Sequence, residues 1–362
     1  MQETEIISNK KNFDFVDTIR CISMIGIVFE HSSVFWGIQY DQLSSTVIEI
    51  AAMQFFKFVT IAFFIIGGFL INYKFTEYSP VQYLKNRISN TILPWAFWIV
   101  ILICLDAINV LIIYLRHKNG DGLPNFWNFL GEELYHTIFF TSFWFVLNFL
   151  ICISVLLVFK KYLYNLWFGV FWGCVSLVYS LNIYHNWFAT QHTLALFGYI
   201  VYLWLGVYMN KHYDKIQVFI KNISFTQLIS LNVLLFSMAI AEALQIANIG
   251  MGDWYNTLRV TNIIYSLGMF LLLLKLGNVE WLSKNLQPRN TTFGIYLLHT
   301  IILVHVIPEL LRHFHFKLQT LGVVEAILLS LAKLVVAYGL SFFLVKLIMK
   351  TNFKWSIGVK SS

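Results

Sequence analysis

The chain has 362 residues, of which 58% are hydrophobic and 12% are charged. A soluble domain carries about 45–50% apolar and about 25% charged residues, so this composition excludes a soluble enzyme and a disordered chain. The four cysteines show no CxxC or other metal-ligand spacing, which excludes a disulfide scaffold and predicts no metal site. The apolar runs have the length of helices rather than strands and predict an all-α integral membrane protein.

Apolar runs of about 20 residues, the length that crosses the hydrocarbon core of a bilayer, recur about ten times along the chain. The predicted fold is therefore polytopic, with about ten transmembrane helices. The predicted spans cover residues 15–38, 51–73, 92–115, 140–159, 164–181, 192–209, 223–246, 257–277, 291–311 and 322–349. The aromatic segment before the fourth span is expected to lie along the outer interface.

The lysines and arginines in the loops predict the orientation of these spans. With the N-terminus in the cytoplasm, the inside segments hold seventeen of these residues and the outside segments hold five. Both termini are therefore predicted to be cytoplasmic. No linker or charge run indicates a second unit, so we expect one transmembrane domain over residues 1–362 and no additional soluble domain. The expected partners include membrane lipids and no nucleic acid.

The first predicted span carries ionisable side chains, which are costly at membrane depth and therefore mark functional candidates. His31 follows Arg20 by eleven positions, and at 100° per residue both project from one helix face, about 16 Å apart along the axis. Because that distance excludes a direct hydrogen bond, the two side chains would contact two ends of one long ligand. Alternatively, Arg20 reaches the inner headgroups and His31 is a packing histidine. Glu30 lies about 80° around the helix from Arg20 and is interpreted as a structural partner.

Further candidates follow in chain order. The pair Gly67–Gly68 in the second span permits close helix packing. Lys85 and Arg87 form a basic cluster at the cytoplasmic mouth of the third span, which suits phosphate groups or reflects topology alone. Trp144 opens the fourth span, where a tryptophan anchors the interface or lines a site.

The ninth span adds a tyrosine and a histidine. Tyr296 and His299 lie one helical turn apart and share a face. Glu242 is the deepest of the scattered ionisable residues and is a candidate to be tested first, with pairing to another charge as the alternative. The remaining ionisable residues within or near spans are interpreted as paired with other charges or with backbone: Lys57, Asp106, Glu325 and Lys333.

Assembled in this order, the segments resemble the acyltransferase family 3 membrane proteins, bacterial enzymes that acylate cell-envelope glycans. Arg20, ten intervening residues and His31 match the family's Arg-x10-His signature. Four further segments are similar to motifs of the family, at residues 15–20, 63–70, 144–146 and 294–299. The resemblance covers nearly the whole chain, and it depends on the order and spacing of motifs that are each weak alone.

Three positions depart from the family's pattern. Gly67 replaces the usual serine after the phenylalanine pair. Asn90 stands where the family often has a second arginine, so binding of the donor's phosphates would rest on Arg87 with help from Lys85. Ser142 replaces a common histidine two residues before the tryptophan, which puts any chemistry at that position in doubt.

The resemblance implies an O-acyltransferase in the inner membrane of a bacterium. It would move an acyl group, acetyl being the commonest and succinyl an alternative, from cytoplasmic acyl-CoA to a hydroxyl of a surface polysaccharide or its lipid-linked precursor. No permanently bound cofactor and no metal is implied. The competing interpretation is a transporter or flippase for lipid-linked glycans without catalysis, which the few prolines and the absence of an internal repeat disfavour.

The implied roles follow from the chemistry of the side chains. Histidine suits proton removal near neutrality, so His31 is expected to be the general base or to carry an acyl-histidine intermediate. Arg20 is expected to bind the donor through a phosphate or carbonyl oxygen. The residues expected to orient substrate are Tyr296, His299, Trp144 and Glu242.

Overall fold

The computed structural model describes residues 13–35, 38–77, 80–116, 125–250, 253–312 and 318–359. Within these ranges the secondary structure is helical and contains no β-strand, which confirms the predicted all-α class. The α-helices are α1 Asp14–Ser32, α2 Leu43–Phe55, α3 Val59–Glu77, α4 Pro80–Arg87, α5 Leu93–Arg116, α6 Phe126–Phe140, α7 Trp144–Val158, α8 Leu166–His185, α9 Ile200–Lys211, α10 Tyr213–Asn222, α11 Phe225–Asn248, α12 Val260–Leu276, α13 Glu280–Leu286, α14 Pro288–Ile301, α15 Ile307–Leu311 and α16 Val323–Ile348.

Six helical segments of the described chain are long and apolar enough to cross a membrane. They are Leu43–Asn72, Val81–Leu115, Leu166–His185, Phe225–Asn248, Pro288–Leu311 and Val323–Ile348. The number rises to eight if α6 with α7, bent by 68°, and α12 with α13, bent by 94°, each form one span. Each of the ten predicted ranges overlaps one of these segments, α1 or α9. The count of ten and the cytoplasmic termini remain predictions.

Two further helices, α1 and α9, complete the bundle, although α1 is unusually charged and α9 is unusually short for a membrane span. α1 has 19 residues but carries four Asp, Glu and Arg side chains, so its composition alone does not mark it as a span. α9 has 12 helical residues, fewer than the roughly 20 that cross a bilayer. Both lie at the centre of the structure, where most of their residues are buried. Burial inside a bundle, rather than contact with lipid, explains why polar side chains are tolerated on α1.

Three predicted spans differ from the observed helices. The second, expected over residues 51–73, is interrupted between α2 and α3 by a turn at residues 56–58. The first was expected to continue to residue 38, but α1 ends at Ser32, whose hydroxyl donates to the Val28 carbonyl, and Ser33 adopts extended ψ. The sixth was expected to begin at residue 192, but the segment before α9 forms a short 3-10 turn at His192–Leu194 and further turns up to Tyr199. Helix α6 was expected only as an aromatic interface segment.

Close packing of α3 against α9 fixes the centre of the bundle. A Cβ atom at Gly68 would collide with the backbone carbonyl oxygen of Leu203, and one at Gly206 would collide with that of Ile65. Both helices therefore need glycine where their backbones touch, as expected for small residues at helix contacts in membranes. α1 packs against α3 on one side and against α14 and α16 on others. This arrangement turns Arg20 and His31 toward α14, where Arg20 lies near Arg289 and His31 lies near His299, while His31 keeps an exposed surface.

Candidate functional site

A cavity of about 470 Å³ lies beside α1 and is bounded by α3, α7 and α14. Arg20, Arg87 and Arg289 line one part of it, and we call these three residues the arginine mouth. Among the described residues, no aspartate or glutamate lines the cavity. Three guanidinium groups without a carboxylate in the wall create a site suited to phosphate groups.

A buried carboxylate behind the wall holds two of these arginines. Asp17 accepts a hydrogen bond of 2.6 Å from Arg289 Nε and one of 3.4 Å from Arg20 Nη1. Arg289 also lies 3.8 Å from Asp14, which is half-exposed. Arg87 is held separately, because its Nε donates to the hydroxyl of Tyr83 at 2.8 Å. These contacts hold the three guanidinium groups in place at the wall of the cavity.

The predicted basic cluster is only partly brought to this cavity. Arg87 lines the wall, whereas Lys85 is exposed and does not. A π-helical turn at Ile88–Ile92 interrupts the helix between α4 and α5 and brings Asn90 and Thr91 into the wall. Arg289 was missed as a site residue, although its position seven residues before Tyr296 on the same helix, two turns away, was a usable signal.

The inner end of the cavity is apolar and aromatic. Phe63, Gly67, Phe145 and Phe149 line it together with Tyr296, whose hydroxyl donates to the carbonyl of Ser142 at 2.5 Å. A Cβ atom at Gly67 would lie 2.6 Å from the Phe149 ring. Glycine at this position therefore lets that ring pack against α3. The cavity thus offers a polar part for charged groups and an apolar part for an uncharged chain.

His31 lies beyond the apolar end, one helical turn past the cavity residue Ile27. Its imidazole faces that of His299, with 5.3 Å between the ring centroids. His299 is fully buried; its Nδ1 lies 3.1 Å from the Ile295 carbonyl, and its Nε2 meets no hydrogen-bond partner among the described residues. A proton on Nδ1 leaves Nε2 as an unoccupied acceptor beside His31. His31 itself retains an exposed surface, so a second molecule can reach it.

An ion pair stands next to the two histidines. Lys57 lies in the break between α2 and α3, is buried, and approaches Glu30 to 3.5 Å. Lys57 is also within electrostatic range of His31 and His192. The sequence assigned Lys57 a pairing role and Glu30 a structural one, and the geometry agrees with both while adding their proximity to His31.

Trp144 lies on the other side of this centre. Its ring packs edge-on against His192 at 5.6 Å between centroids, and it also contacts Tyr199. The turn that carries His192 is tied down by Asp253, which accepts a hydrogen bond from the His192 backbone N–H. Burial of Asp253 raises the pKa of its carboxyl above the ordinary value. Trp144 is therefore buried beside His192 and outside the cavity wall, rather than lying at a lipid interface.

Glu242 occupies a separate cluster. Its carboxylate accepts hydrogen bonds from the hydroxyls of Tyr184 and Thr261 and lies 3.7 Å from Arg259 Nη1. These residues join α8, α11 and the start of α12, and none of them lines the cavity. The structure therefore does not bring Glu242 to the two histidines, and its contacts are those of a residue that ties helices together.

The family model Acyl_transf_3, described as an acyltransferase domain, matches residues 13–346, a range that includes the arginine mouth and both facing histidines. Searches of curated proteins and of solved structures found no match. The resemblance expected from Arg20 and His31 is confirmed. The chain belongs to acyltransferase family 3 and is a multi-pass membrane acyltransferase.

Proposed function

We propose that the protein transfers an acyl group from acyl-CoA to a hydroxyl of a cell-surface polysaccharide or its lipid-linked precursor, and that this acyl group is acetyl. We place it in the cytoplasmic membrane of a bacterium, as one transmembrane domain over residues 1–362. One observation carries the proposal. The wall of the cavity holds three arginines and a set of aromatic rings, and its residues Ile27 and Tyr296 lie one helical turn from His31 and His299.

The shape of this cavity fits the parts of acyl-CoA in order. Its nucleotide carries phosphates, which the arginine mouth would bind by charge-assisted hydrogen bonds. Its pantetheine arm is long and uncharged, and the apolar walls beside Gly67 and Phe149 suit it. Threaded this way, the donor would present its thioester near Tyr296, next to His31. The spacing of about 16 Å between Arg20 and His31 is then the length that one ligand spans.

The chemistry at the end of the cavity is an acyl transfer. In the proposed step, His31 removes the proton of the acceptor hydroxyl while the acceptor oxygen bonds to the thioester carbonyl carbon. The carbon–sulfur bond breaks, and His31 returns the proton to the departing thiolate of CoA. The alternative route passes through an acyl-histidine on His31, with the acceptor attacking in a second step. In both routes the buried Nε2 of His299 can accept a hydrogen bond that orients His31.

The surrounding groups would assist this step. Lys57, compensated by Glu30, supplies a fixed positive charge where negative charge develops on the thioester oxygen. Tyr296 and Trp144 shape the space in which the two substrates meet. No permanently bound cofactor is required, because acyl-CoA is itself the substrate.

Membrane vesicles containing the full chain test the proposal. Labelled acetyl-CoA is supplied, and both the release of CoA and the label on membrane glycans are measured by mass spectrometry. We expect CoA release that depends on the protein and an acetylated glycan. A flippase would move glycans and leave the thioester intact, so glycan translocation without CoA release would overturn the proposal.

A further inference from the structure

A second polar cluster lies in the membrane-spanning region away from the cavity. Asp106 on α5 approaches His305 to 3.3 Å, and its carboxyl is within hydrogen-bond distance of Glu133 on α6. Asn109 lies 3.1 Å from the other ring nitrogen of His305, and His136 is within electrostatic range of both carboxyl groups. We call these five residues the carboxyl cluster.

The cluster is held by elements that the fold distorts there. His305 lies in a π-helical turn, Ile302–Val306, which interrupts the helix between α14 and α15. Such turns are rare and are frequently found at functional sites. The other π-helical turn of the described chain, Ile88–Ile92, brings Asn90 and Thr91 into the donor cavity. Each of the two irregular turns thus positions polar side chains at a polar site.

The charges of the cluster are not neutralised in the usual way. Among the described residues, no lysine or arginine lies within ion-pair distance of Asp106 or Glu133. No group of three or more His, Cys, Asp and Glu side chains there has the arrangement of a metal site. Asp106 is 23% exposed and Glu133 is partly exposed, so neither carboxyl group is sealed inside the bundle. Carboxyl groups at membrane depth normally line a water-filled cleft or a ligand path.

The cluster is joined to the transfer site along two helices. His305 follows His299 by six residues, about 9 Å along the axis. On α6, Glu133 is followed by Thr137 one turn later, and the chain then reaches Ser142, whose hydroxyl bonds to Thr300 at 2.5 Å. Both paths lead from the carboxyl cluster to the neighbourhood of His31, on the side opposite the arginine mouth.

We infer that the carboxyl cluster is the subsite that binds the hydroxyl groups of the acceptor, and that it selects a sugar without negative charge. The inference rests on the proposed function. Carboxylates and imidazoles accept and donate hydrogen bonds to neighbouring hydroxyls, which orients a polyhydroxylated ring. Because Asp106 and Glu133 lie within hydrogen-bond distance of each other, they share one proton and keep one negative charge, which repels a uronic acid or a phosphorylated sugar.

Two soluble glycosides test this subsite with the full-length protein in detergent. Methyl glucoside is the neutral probe, and methyl glucuronoside is its counterpart with a carboxylate. We expect kcat/KM for the glucoside to exceed that for the glucuronoside about tenfold or more. Glu133→Gln and Asp106→Asn should each raise the KM for methyl glucoside about fivefold while leaving the KM for acetyl-CoA within about twofold. Glu132→Gln, at the exposed neighbouring position, is the matched control and should change neither constant.

Several outcomes overturn the inference. They are a preference for the glucuronoside, equal effects of Glu133→Gln and Glu132→Gln, and a rise in the KM for acetyl-CoA that matches the rise for the glycoside. Acylation of neither glycoside while acetyl-CoA is still hydrolysed would also overturn it and would leave the donor half of the proposed function standing. Wild-type protein that never consumes acetyl-CoA would instead overturn the proposed function. Should a carboxyl variant not fold, Asn109→Ala, at an exposed position, gives the same readout.

Discussion

The arginine mouth and the carboxyl cluster are two polar regions of opposite charge within one apolar helix bundle. The first has three guanidinium groups in its wall, two of them held by Asp17. The second has two carboxyl groups that meet histidines and an asparagine. Because unpaired charge at membrane depth is costly, each excess of one sign indicates a ligand of complementary chemistry. An anionic donor fits the first region and an uncharged acceptor fits the second, with His31 and His299 between them.

The largest expected effect comes from the residue between the two regions. His31→Ala should lower kcat for acyl transfer by about 100-fold or more, the usual contribution of a general base. It should leave the binding of radiolabelled CoA unchanged, because the arginine mouth stays intact. His185→Ala, at an exposed position stacked on Trp187, is the control and should behave as wild type. Full turnover by His31→Ala would remove the residue from the mechanism.

Removing a charge from the arginine mouth should raise the KM for the donor, acetyl-CoA, and leave the KM for the acceptor unchanged. Arg289→Ala and Arg87→Ala should each raise the KM for acetyl-CoA about fivefold to tenfold, because a charge-assisted hydrogen bond to phosphate is lost. The effect should vanish with acetyl-pantetheine, which lacks the nucleotide phosphates. Added salt should raise the wild-type KM for acetyl-CoA, since Arg289 is half-exposed and open to screening.

Lys85→Ala is the matched control for these variants, because Lys85 is basic, exposed and outside the cavity wall. It should leave both KM values unchanged. A larger effect of Arg289→Ala on the acceptor than on acetyl-CoA would reverse the assignment of the two regions.

The sequence was sufficient to predict those features of the site that depend on a single helix. The eleven-residue step from Arg20 to His31 predicts a shared face, and α1 presents Arg20 to the cavity and His31 to His299. The one-turn step from Tyr296 to His299 likewise places the first in the cavity wall and the second beside His31. Helical periodicity is local and is therefore readable without knowledge of neighbours.

Contacts between helices could not be read in the same way. Asp17 and Arg289 are 272 residues apart, and hydropathy does not say which spans touch. The carboxyl cluster joins residues of three helical elements, and of its members only Asp106 was singled out from the sequence, as a residue paired with another charge or with backbone. Helix α6 and the turn at His192 were also missed, since bends and short turns are set by packing rather than by apolar run length.

A smaller effect is expected from the carboxylate behind the arginine mouth. Asp17→Asn should raise the KM for acetyl-CoA about threefold and leave kcat unchanged, because Arg20 and Arg289 lose their common anchor and repel each other. Asp14→Asn is the comparison, since Asp14 is 53% exposed and lies 3.8 Å from Arg289. A fall in kcat with unchanged KM for Asp17→Asn would place the residue in the chemical step instead of the donor site.

The smallest expected effect tests whether the apolar part of the cavity acts on acetyl-CoA through its shape. Gly67→Ser restores the family's usual residue, but its Cβ would meet the Phe149 ring, which must shift toward the cavity. The narrowed cavity should raise the KM for acetyl-CoA about twofold, with kcat and the acceptor KM unchanged. Adding Phe149→Leu should restore the KM, because the smaller side chain makes room for the serine. A rise in kcat for Gly67→Ser would show that the family's serine contributes to the reaction, and that this chain has lost a chemical group rather than gained space.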